Sequence, residues 1–362
     1  MISLSVCMIV KNEEKVLERC LTCIKNIADE IVIVDTGSTD KTKEIAKKFT
    51  DKIYDFKWID DFSAARNYSF SKATKEYIMW LDADDVILEK DQQKLLELKE
   101  TLDGNIDMVL LKYNTGFDEN GNVTFSYYRE RILKKAVGYT WLSPIHEVIP
   151  ISGNTLYSDI CITHKKCGVS NPKRNLEIFD NMLKKGIKLD PRQQFYYARE
   201  LYYTKRYTEA ITNFNAVLDN EQAWIENKIN ACLDLYNCYI ALNDKTNAFL
   251  ALTHSFIYDL PRAEICCELG NFFTDNNQYL IASHWYKQAL NCKLDTTRGG
   301  FYMLDCYKYI PYIELCVCSF RLGDIPQAIK YNELAGVEKP TSKEYLYNKE
   351  FFEKLNMQNK SN

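Results

Sequence analysis

Apolar runs that end in polar residues recur along the first half of the chain and predict buried strands. The clearest run, residues 77–81, is followed by Asp82, Asp84 and Asp85. A run of this length predicts a buried strand, so the carboxylates lie at its carboxyl end, where open α/β sheets bind ligands. Crowded carboxylates repel one another unless a hard divalent cation neutralises them. The pattern therefore indicates a Mg²⁺ or Mn²⁺ site; the alternative is an acidic turn that caps a helix.

Earlier segments repeat this plan of strand, polar loop and helix. Residues 4–10, 31–34 and 53–55 are strand-like, and helical patterns follow the first two. Strands that alternate with helices at this spacing predict parallel βαβ units of an α/β fold. Asn12 and Asp35 follow the first two strands, so we expect both to face one crevice, with Asp35 accepting hydrogen bonds from a ribose or a base. The alternative makes Asp35 a turn residue.

Helix starts can also be read from the polar loops. Ser38 or Thr39 is predicted to cap the second helix and Ser63 the third, because hydroxyls accept hydrogen bonds from the first turn. Arg66 lies one turn into the third helix. From there its guanidinium would reach a diphosphate or the carboxylate cluster. A surface arginine is the alternative.

After the carboxylates the pattern changes to a helix and a hairpin. Residues 92–102 are helical, and residues 108–111 and 123–133 are strand-like. Asn120-Gly121 lies between these two strands and is a hairpin signal, because both residues tolerate positive φ.

From residue 171 onward strand signals vanish, and helical patterns rich in Tyr, Leu and Ala take over. We therefore predict two domains, residues 1–170 and 171–362. Small residues recur at Ala210, Ala248, Ala282 and Ala328, and the 34 residues from Ala248 to Ala282 are the tetratricopeptide (TPR) period. About four such repeats and a final helix over 342–355 would stack into a curved solenoid.

Length and composition limit the partners and the cellular compartment that we expect for this chain. A length of 362 residues suits about two domains. The net charge of −4 gives no bulk argument for nucleic acid or an anionic membrane as a partner. The 13 cysteines contain no paired C-x-x-C set and Met1 precedes no signal-peptide core, which favours reduced thiols and the cytoplasm. No apolar run approaches the roughly 18 residues of a membrane span.

Four motifs carry a family resemblance: residues 6–13, 34–40, 61–67 and 81–85. In this order they resemble the family-2 glycosyltransferases of GT-A fold, over roughly residues 1–170. The resemblance implies that Asp35 contacts the uridine of a UDP-sugar and that Asp82 and Asp84 hold Mn²⁺ or Mg²⁺ on its diphosphate. The nucleotide-sugar surface that it implies consists of Val10, Asn12, Glu13, Asp35, Arg66, Asp82 and Ala83.

Two histidines and a glutamate complete the implied site. By the family order Glu147 is the general base and His164 the third metal ligand. Both roles suit the chemistry, because a carboxylate takes up a proton and a neutral imidazole binds Mn²⁺. The family more often has an acidic pair where this chain has His146-Glu147, so His146 remains an alternative base or ligand. Either histidine could instead be a hydrogen-bonded core residue.

The whole chain resembles bacterial peptide glycosyltransferases, including the S-glycosyltransferases of bacteriocins, in which such a domain precedes repeats. This implies an inverting hexosyltransferase that uses UDP-glucose or UDP-N-acetylglucosamine and modifies a Ser, Thr or Cys side chain of a polypeptide. The repeats would bind that polypeptide or a second copy of the chain. The alternatives are a TPR scaffold with a vestigial enzyme domain, and a transferase that acts on a cell-surface glycan or a lipid-linked acceptor.

Overall fold

The computed structural model describes residues 1–167, 173–295 and 299–361. Contacts divide the chain into two compact units, one of residues 1–115 and 126–196 and the other of residues 116–125 and 197–362. The predicted boundary at residue 170 lies outside the described residues. Residues 173–196, which follow that boundary, group with the first unit.

The first unit is built around a mixed sheet of eight strands. These are β1 Leu4–Val10, β2 Glu30–Asp35, β3 Ile53–Asp55, β4 Tyr77–Trp80, β5 Asp85–Val86, β6 Met108–Phe117, β7 Val123–Lys134 and β8 Thr155–His164, in the order β3-β2-β1-β4-β7-β6-β8-β5. The pairs β1–β2, β1–β4 and β2–β3 are parallel, which confirms the predicted βαβ plan. Strand β7 runs antiparallel to β4.

The first unit also contains α-helices. They are α1 Leu17–Ile24, α2 Thr42–Ala46, α3 Phe62–Lys72, α4 Glu89–Thr101, α5 Arg174–Lys184 and α6 Pro191–Tyr203, the last of which crosses the division between the units. All four residues of β4 are buried. Successive side chains of a strand point to opposite faces. Tyr77 and Met79 therefore join one apolar cluster and Ile78 and Trp80 the other. This two-layer burial explains the continuous apolar run of β4.

The start of α3 differs from its prediction. Asp61 is the cap, and its side chain accepts a hydrogen bond from the Ala64 N–H at 2.9 Å. Ser63 lies inside the helix, and its hydroxyl donates to the Asp61 carboxylate at 2.7 Å. The predicted Ser63 cap is therefore wrong, because the acidic residue two positions earlier occupies the cap.

The second unit is helical. It contains α7 Tyr207–Leu218, α8 Ile225–Ala241, α9 Lys245–His254, α10 Ala263–Asp275, α11 Tyr279–Asn291, α12 Tyr309–Arg321, α13 Ile325–Glu338 and α14 Lys343–Ser361. The pairs α8–α9, α10–α11 and α12–α13 pack together as helical hairpins. The aligned residues Ala210, Ala248, Ala282 and Ala328 are completely buried, as the repeat pattern predicts. Helix α14 extends beyond the predicted 342–355.

Close helix packing explains a glycine of the repeat pattern. A Cβ atom on Gly270 of α10 would lie 2.4 Å from the ring of Tyr286 on α11. The absence of a side chain therefore lets the two helices approach. Tyr286 is itself fully buried.

The turn between β6 and β7 confirms the predicted hairpin. Gly121 has φ of 81°, and Asp118 accepts hydrogen bonds from the backbone N–H groups of Asn120 and Asn122. Lys339 of α13 lies 3.3 Å from the Asp118 carboxylate, within the second unit.

Among the helices of the described ranges, none combines the length and the apolar character that crossing a membrane requires.

Candidate active site

The carboxyl ends of β1, β2 and β4 meet at one edge of the sheet, because the three strands are parallel. Val10, buried at the end of β1, is in register with Asp35 at the end of β2. Asp35 is 2% exposed, and its Oδ2 accepts the N–H groups of Gly37 and Ser38 at 3.1 and 3.0 Å. Within the described part of the chain, its buried Oδ1 accepts no hydrogen bond. A buried oxygen without a donor is available to a ligand N–H or O–H.

The loop after β1 is fastened to the loop after β2. Asn12, at φ of 57°, accepts the Thr39 N–H at 2.8 Å and donates its own N–H to Ser38 Oγ at 2.9 Å. Helix α2 begins after Lys41 without a side-chain cap, so the predicted Ser38 or Thr39 cap is wrong. These polar residues bond Asn12 instead of the helix start.

Glu13 lies close to the carboxylates that end β4. Burial, followed by the charges of Asp84 and Asp82, raises the pKa of Glu13 to about 7. Ala83 lies between these two aspartates and is 5% exposed. The predicted nucleotide-sugar residues therefore lie on neighbouring loops of this edge.

Arg66 joins two predicted parts of the site. Its Nη2 donates to Asp82 Oδ1 and its Nε to Glu147 Oε1, both at 2.7 Å. The guanidinium carbon lies 4.9 Å from the ring centres of both Trp80 and Trp141. Burial, the largest single effect, would raise the pKa of Asp82, but the charges of Arg66 and Arg131 and the hydrogen bond from Arg66 together lower that pKa to about 2. Arg66 is thus a buried cation that fixes two carboxylates.

Asp84 and His164 form a second cluster, together with Asp85. His164 Nδ1 lies 3.3 Å from Asp84 Oδ1 and 3.7 Å from Asp85 Oδ1. Pairing of β5 with β8 sets this arrangement, because Asp85 and His164 are directly opposite. Hydrogen bonds to Asp84 and then Asp85 raise the pKa of His164 to about 10. The three side chains offer ligand atoms within 4.8 Å of one another.

The cluster differs from the predicted ligand set in one member. The sequence prediction combined Asp82 with Asp84 and His164, whereas the structure brings Asp85 to this pair and holds Asp82 against Arg66. Two carboxylates and an imidazole are suitable ligands for Mn²⁺, and carboxylates also suit Mg²⁺. The donor set therefore fits the divalent cation that the sequence implies.

The loop that carries Glu147 is held by α3 and α6. The side-chain amide of Asn67 bonds both the N–H and the carbonyl of Trp141, at 2.8 and 3.0 Å. The His146 ring stacks on Tyr196 with centroids 4.2 Å apart and an interplanar angle of 12°. Arg192 donates to the His146 carbonyl. His146 is therefore packed against a helix, while the Glu147 carboxylate faces Arg66.

Several residues at the site carry no signal in the sequence. Arg131 of β7 lies 3.0 Å from Asp85, and Tyr113 of β6 lies 2.9 Å from the same carboxylate. Arg19 of α1 donates to the carbonyl oxygens of Asp84 and Lys165 at 3.3 and 2.7 Å. These contacts join residues far apart in the chain, and no short motif marks them.

Comparisons with known proteins agree with the two-part architecture. Residues 5–155 match the model for glycosyl transferase family 2. A TPR repeat-containing protein of Synechococcus elongatus is 34% identical over 151 residues, 41% of this chain and 36% of the relative. The glycosyltransferase SunS of Bacillus subtilis is 28% identical over 228 residues, 59% of this chain and 52% of the relative. The chain thus spans about a third to a half of these relatives' lengths.

Two solved structures are similar to parts of the chain at low sequence identity. TarS of S. aureus has a TM-score of 0.35 and 16% identity, covering 71% of this chain and 54% of its own. The type IV pilus biogenesis factor PilW has a TM-score of 0.40 and 17% identity, covering 49% and 74%. The family match and the architecture identify residues 5–155 as a glycosyl transferase family 2 domain of GT-A type, which precedes a TPR-like helical domain.

Proposed function

We propose that this chain is a metal-dependent inverting glycosyltransferase that moves a sugar from a UDP-sugar to a polypeptide side chain. The observation that carries the proposal is the Arg66 bridge, which links Asp82 to Glu147 through two hydrogen bonds of 2.7 Å. Donor and acceptor chemistry require different carboxylates at a fixed separation. A vestigial domain would have no need to maintain such a bridge beside a cluster of metal-ligand type.

The donor side is supported by Asp35 and the loops around it. A uracil or ribose needs hydrogen-bond acceptors in a buried position, and Asp35 Oδ1 is buried and accepts no hydrogen bond from the described residues. Val10, Asn12, Glu13 and Ala83 would line the adjacent nucleotide surface. UDP-glucose and UDP-N-acetylglucosamine are the proposed donors.

The metal would be held by Asp84 and His164, with Asp82 or Asp85 as the further carboxylate. Asp84 is 24% exposed at its side chain and His164 27%, so a ligand can reach both. A divalent cation there would stabilise the charge that develops on the leaving diphosphate. Arg66 would add a second positive charge beside the same diphosphate.

Glu147 is the proposed base. One oxygen of its carboxylate accepts from Arg66, and the side chain is 14% exposed. Its second oxygen would take the proton of the attacking hydroxyl or thiol as the bond to the anomeric carbon forms and the bond to the diphosphate breaks. The stacking of His146 on Tyr196 favours a packing role for this histidine. Glu147 is therefore preferred over His146.

The helical unit supports a polypeptide acceptor, because stacked helical hairpins form extended surfaces that bind peptides. The same surfaces bind second copies of a chain, and homo-oligomerisation is a further proposal.

The test is a hydrolysis panel in which UDP release is measured from UDP-glucose, UDP-N-acetylglucosamine and other UDP-sugars, with Mn²⁺ and with EDTA. We expect metal-dependent release from one donor, and loss of that release in Asp84→Asn. Release that is equal with Mn²⁺ and EDTA would contradict metal dependence. No release from any donor in the wild-type chain, combined with no UDP binding, would contradict the enzyme proposal.

A further inference from the structure

The Asp85 carboxylate accepts hydrogen bonds from three protein donors. Oδ2 accepts the Asp82 N–H at 3.1 Å and Arg131 Nη1 at 3.0 Å, and Oδ1 accepts the Tyr113 hydroxyl at 2.9 Å. Its own N–H donates to the Asp82 carbonyl at 3.0 Å. The side chain is completely buried, whereas that of Asp84 is 24% exposed. Three of the roughly four acceptor positions of this carboxylate are therefore already used by the protein.

The burial of the Arg131 guanidinium at this position is energetically unfavourable. Its side chain is completely buried, and the guanidinium carbon lies 3.7 Å from the Trp80 ring centre and 4.4 Å from that of Tyr113. Within the described ranges, its Nε and Nη2 have no hydrogen-bond partner. Its Nη1 is fully used, by Asp85 and by the Trp80 carbonyl at 3.1 Å. A buried charge that is only partly paired lowers the stability of a protein. Its presence here therefore indicates a role other than stabilisation.

We propose that Arg131, Asp85 and Tyr113 form a positioning device, in which Asp85 is not a metal ligand but holds the turn of residues 82–85. Through the Asp82 N–H and the Trp80 carbonyl, the device fixes both ends of the bend that leads from β4 into this turn. Asp84 is thereby presented to solvent opposite His164. Tyr113 also contacts His164 Nδ1 at 3.0 Å, so the device touches the imidazole directly. This inference rests on the proposed function, because it assumes a cation at Asp84 and His164.

The two roles of Asp85 predict opposite signs for one substitution. If Asp85 were a ligand, Arg131→Met would release its carboxylate and remove a nearby positive charge, and both changes would strengthen Mn²⁺ binding. If Asp85 is a positioning residue, the same substitution disorders the turn and weakens binding. Substitution of groups that orient metal ligands typically costs about 10-fold to 100-fold in metal affinity.

The experiment measures the Mn²⁺ dissociation constant of the full chain, with and without UDP, from the EPR signal of free Mn²⁺. We expect Arg131→Met to weaken binding about 10-fold to 100-fold, and Arg131→Lys to recover part of the loss because the ammonium still donates to Asp85. Tyr113→Phe changes no charge and deletes one hydrogen bond, so it should weaken binding by a smaller factor. This variant keeps the test available if Arg131→Met fails to fold.

Tyr127→Phe is the matched control, because the Tyr127 ring contacts the Tyr113 ring edge-on with centroids 5.8 Å apart, whereas Tyr113 supplies the hydroxyl that donates to Asp85. It should leave Mn²⁺ affinity unchanged. The inference is overturned if Arg131→Met binds Mn²⁺ as tightly as the wild type or more tightly. If Arg131→Met does not fold, the same result in Tyr113→Phe overturns it. Either result leaves the proposed function intact. A wild-type chain that binds no Mn²⁺ with UDP overturns the proposed function and this inference with it.

Discussion

Arg66 Nε and Glu147 Oε1 are 2.7 Å apart, although 81 residues separate them in the chain. The same guanidinium bonds Asp82 at the end of β4. Two fully or nearly buried tryptophans, Trp80 and Trp141, contact the arginine and restrict its movement. The proposed base therefore has a fixed position relative to the carboxylates that would serve the donor.

Substitution of Arg66 tests this fixed relationship. Arg66→Lys keeps the charge but cannot donate to both carboxylates in a planar fork, so we expect at least about a tenfold loss in kcat. Arg66→Met removes both hydrogen bonds and should also lower the free energy of unfolding by about 1.5–3 kcal/mol. Transfer kinetics and urea unfolding are the measurements. Lys72→Met on the same helix is the control, because Lys72 contacts Tyr54 and Tyr68 rather than either carboxylate. Wild-type kcat in Arg66→Lys would contradict the positioning role.

Glu147→Gln separates base catalysis from binding. The amide keeps the shape of the side chain but cannot accept a proton, so transfer to a hydroxyl acceptor should fall about 10²-fold to 10⁴-fold while UDP affinity stays constant. A thiol acceptor should lose less, because a thiol is partly ionised near neutral pH. His146→Ala is the comparison. If His146→Ala loses transfer with UDP binding intact while Glu147→Gln is active, His146 is the base.

Mn²⁺ affinity should depend on pH through His164. The pKa of His164 is raised from its ordinary value of 6.5 to about 10, so the imidazole is protonated in the metal-free protein at neutral pH. Metal binding must release this proton, and affinity should therefore rise by about tenfold per pH unit between pH 6.5 and 8.5. His164→Gln should bind more weakly and lose most of this dependence. A pH-independent dissociation constant in the wild-type chain would rule out His164 as a ligand.

The same raised pKa has a consequence for stability. A folded-state pKa above the unfolded one means that the Asp84–His164 pair stabilises the metal-free fold fully below about pH 6.5, and that this contribution is lost as pH rises towards 10. The difference in unfolding free energy between wild type and His164→Gln, measured in EDTA, should shrink over that interval. A difference that grows with pH would contradict the pairing.

Gly270→Ala tests the packing of the repeats. The new Cβ would lie 2.4 Å from the ring of Tyr286, which is fully buried. We expect a loss of about 1–3 kcal/mol in the free energy of unfolding. Gly104→Ala is the control, because no atom lies within 4 Å of the Cβ position there and φ is not positive. Equal stability of Gly270→Ala and the wild type would show that α10 and α11 are less tightly packed than described.

The sequence predicted those features that depend on local pattern. The run before Asp82 predicted β4, and burial on both faces of the sheet accounts for its unbroken apolar character. The alanines of the repeat pattern predicted buried helix contacts, which the structure confirms. Asn120-Gly121 predicted the hairpin turn, because the positive φ that Gly121 adopts depends on the local sequence.

Features that depend on long-range contact were missed. The sequence prediction chose Asp82 as a metal ligand and not Asp85. In the structure β5 pairs with β8, which brings Asp85 opposite His164, and Asp85 also contacts Arg131. Ser38 and Thr39 look like helix caps, yet a loop 26 residues earlier supplies Asn12 as a nearer partner. Such choices depend on which loops meet in space, and a single sequence contains no local signal for that.

In the proposed mechanism, a divalent cation at Asp84 and His164 would join the UDP moiety to the protein. Calorimetric titration of UDP into the wild-type chain and Asp84→Asn, each with Mn²⁺ and with EDTA, tests it most directly. We predict clear binding by the wild type with Mn²⁺, and binding at least about tenfold weaker in EDTA or in Asp84→Asn with Mn²⁺. UDP affinity that is the same in all four titrations would contradict the claim.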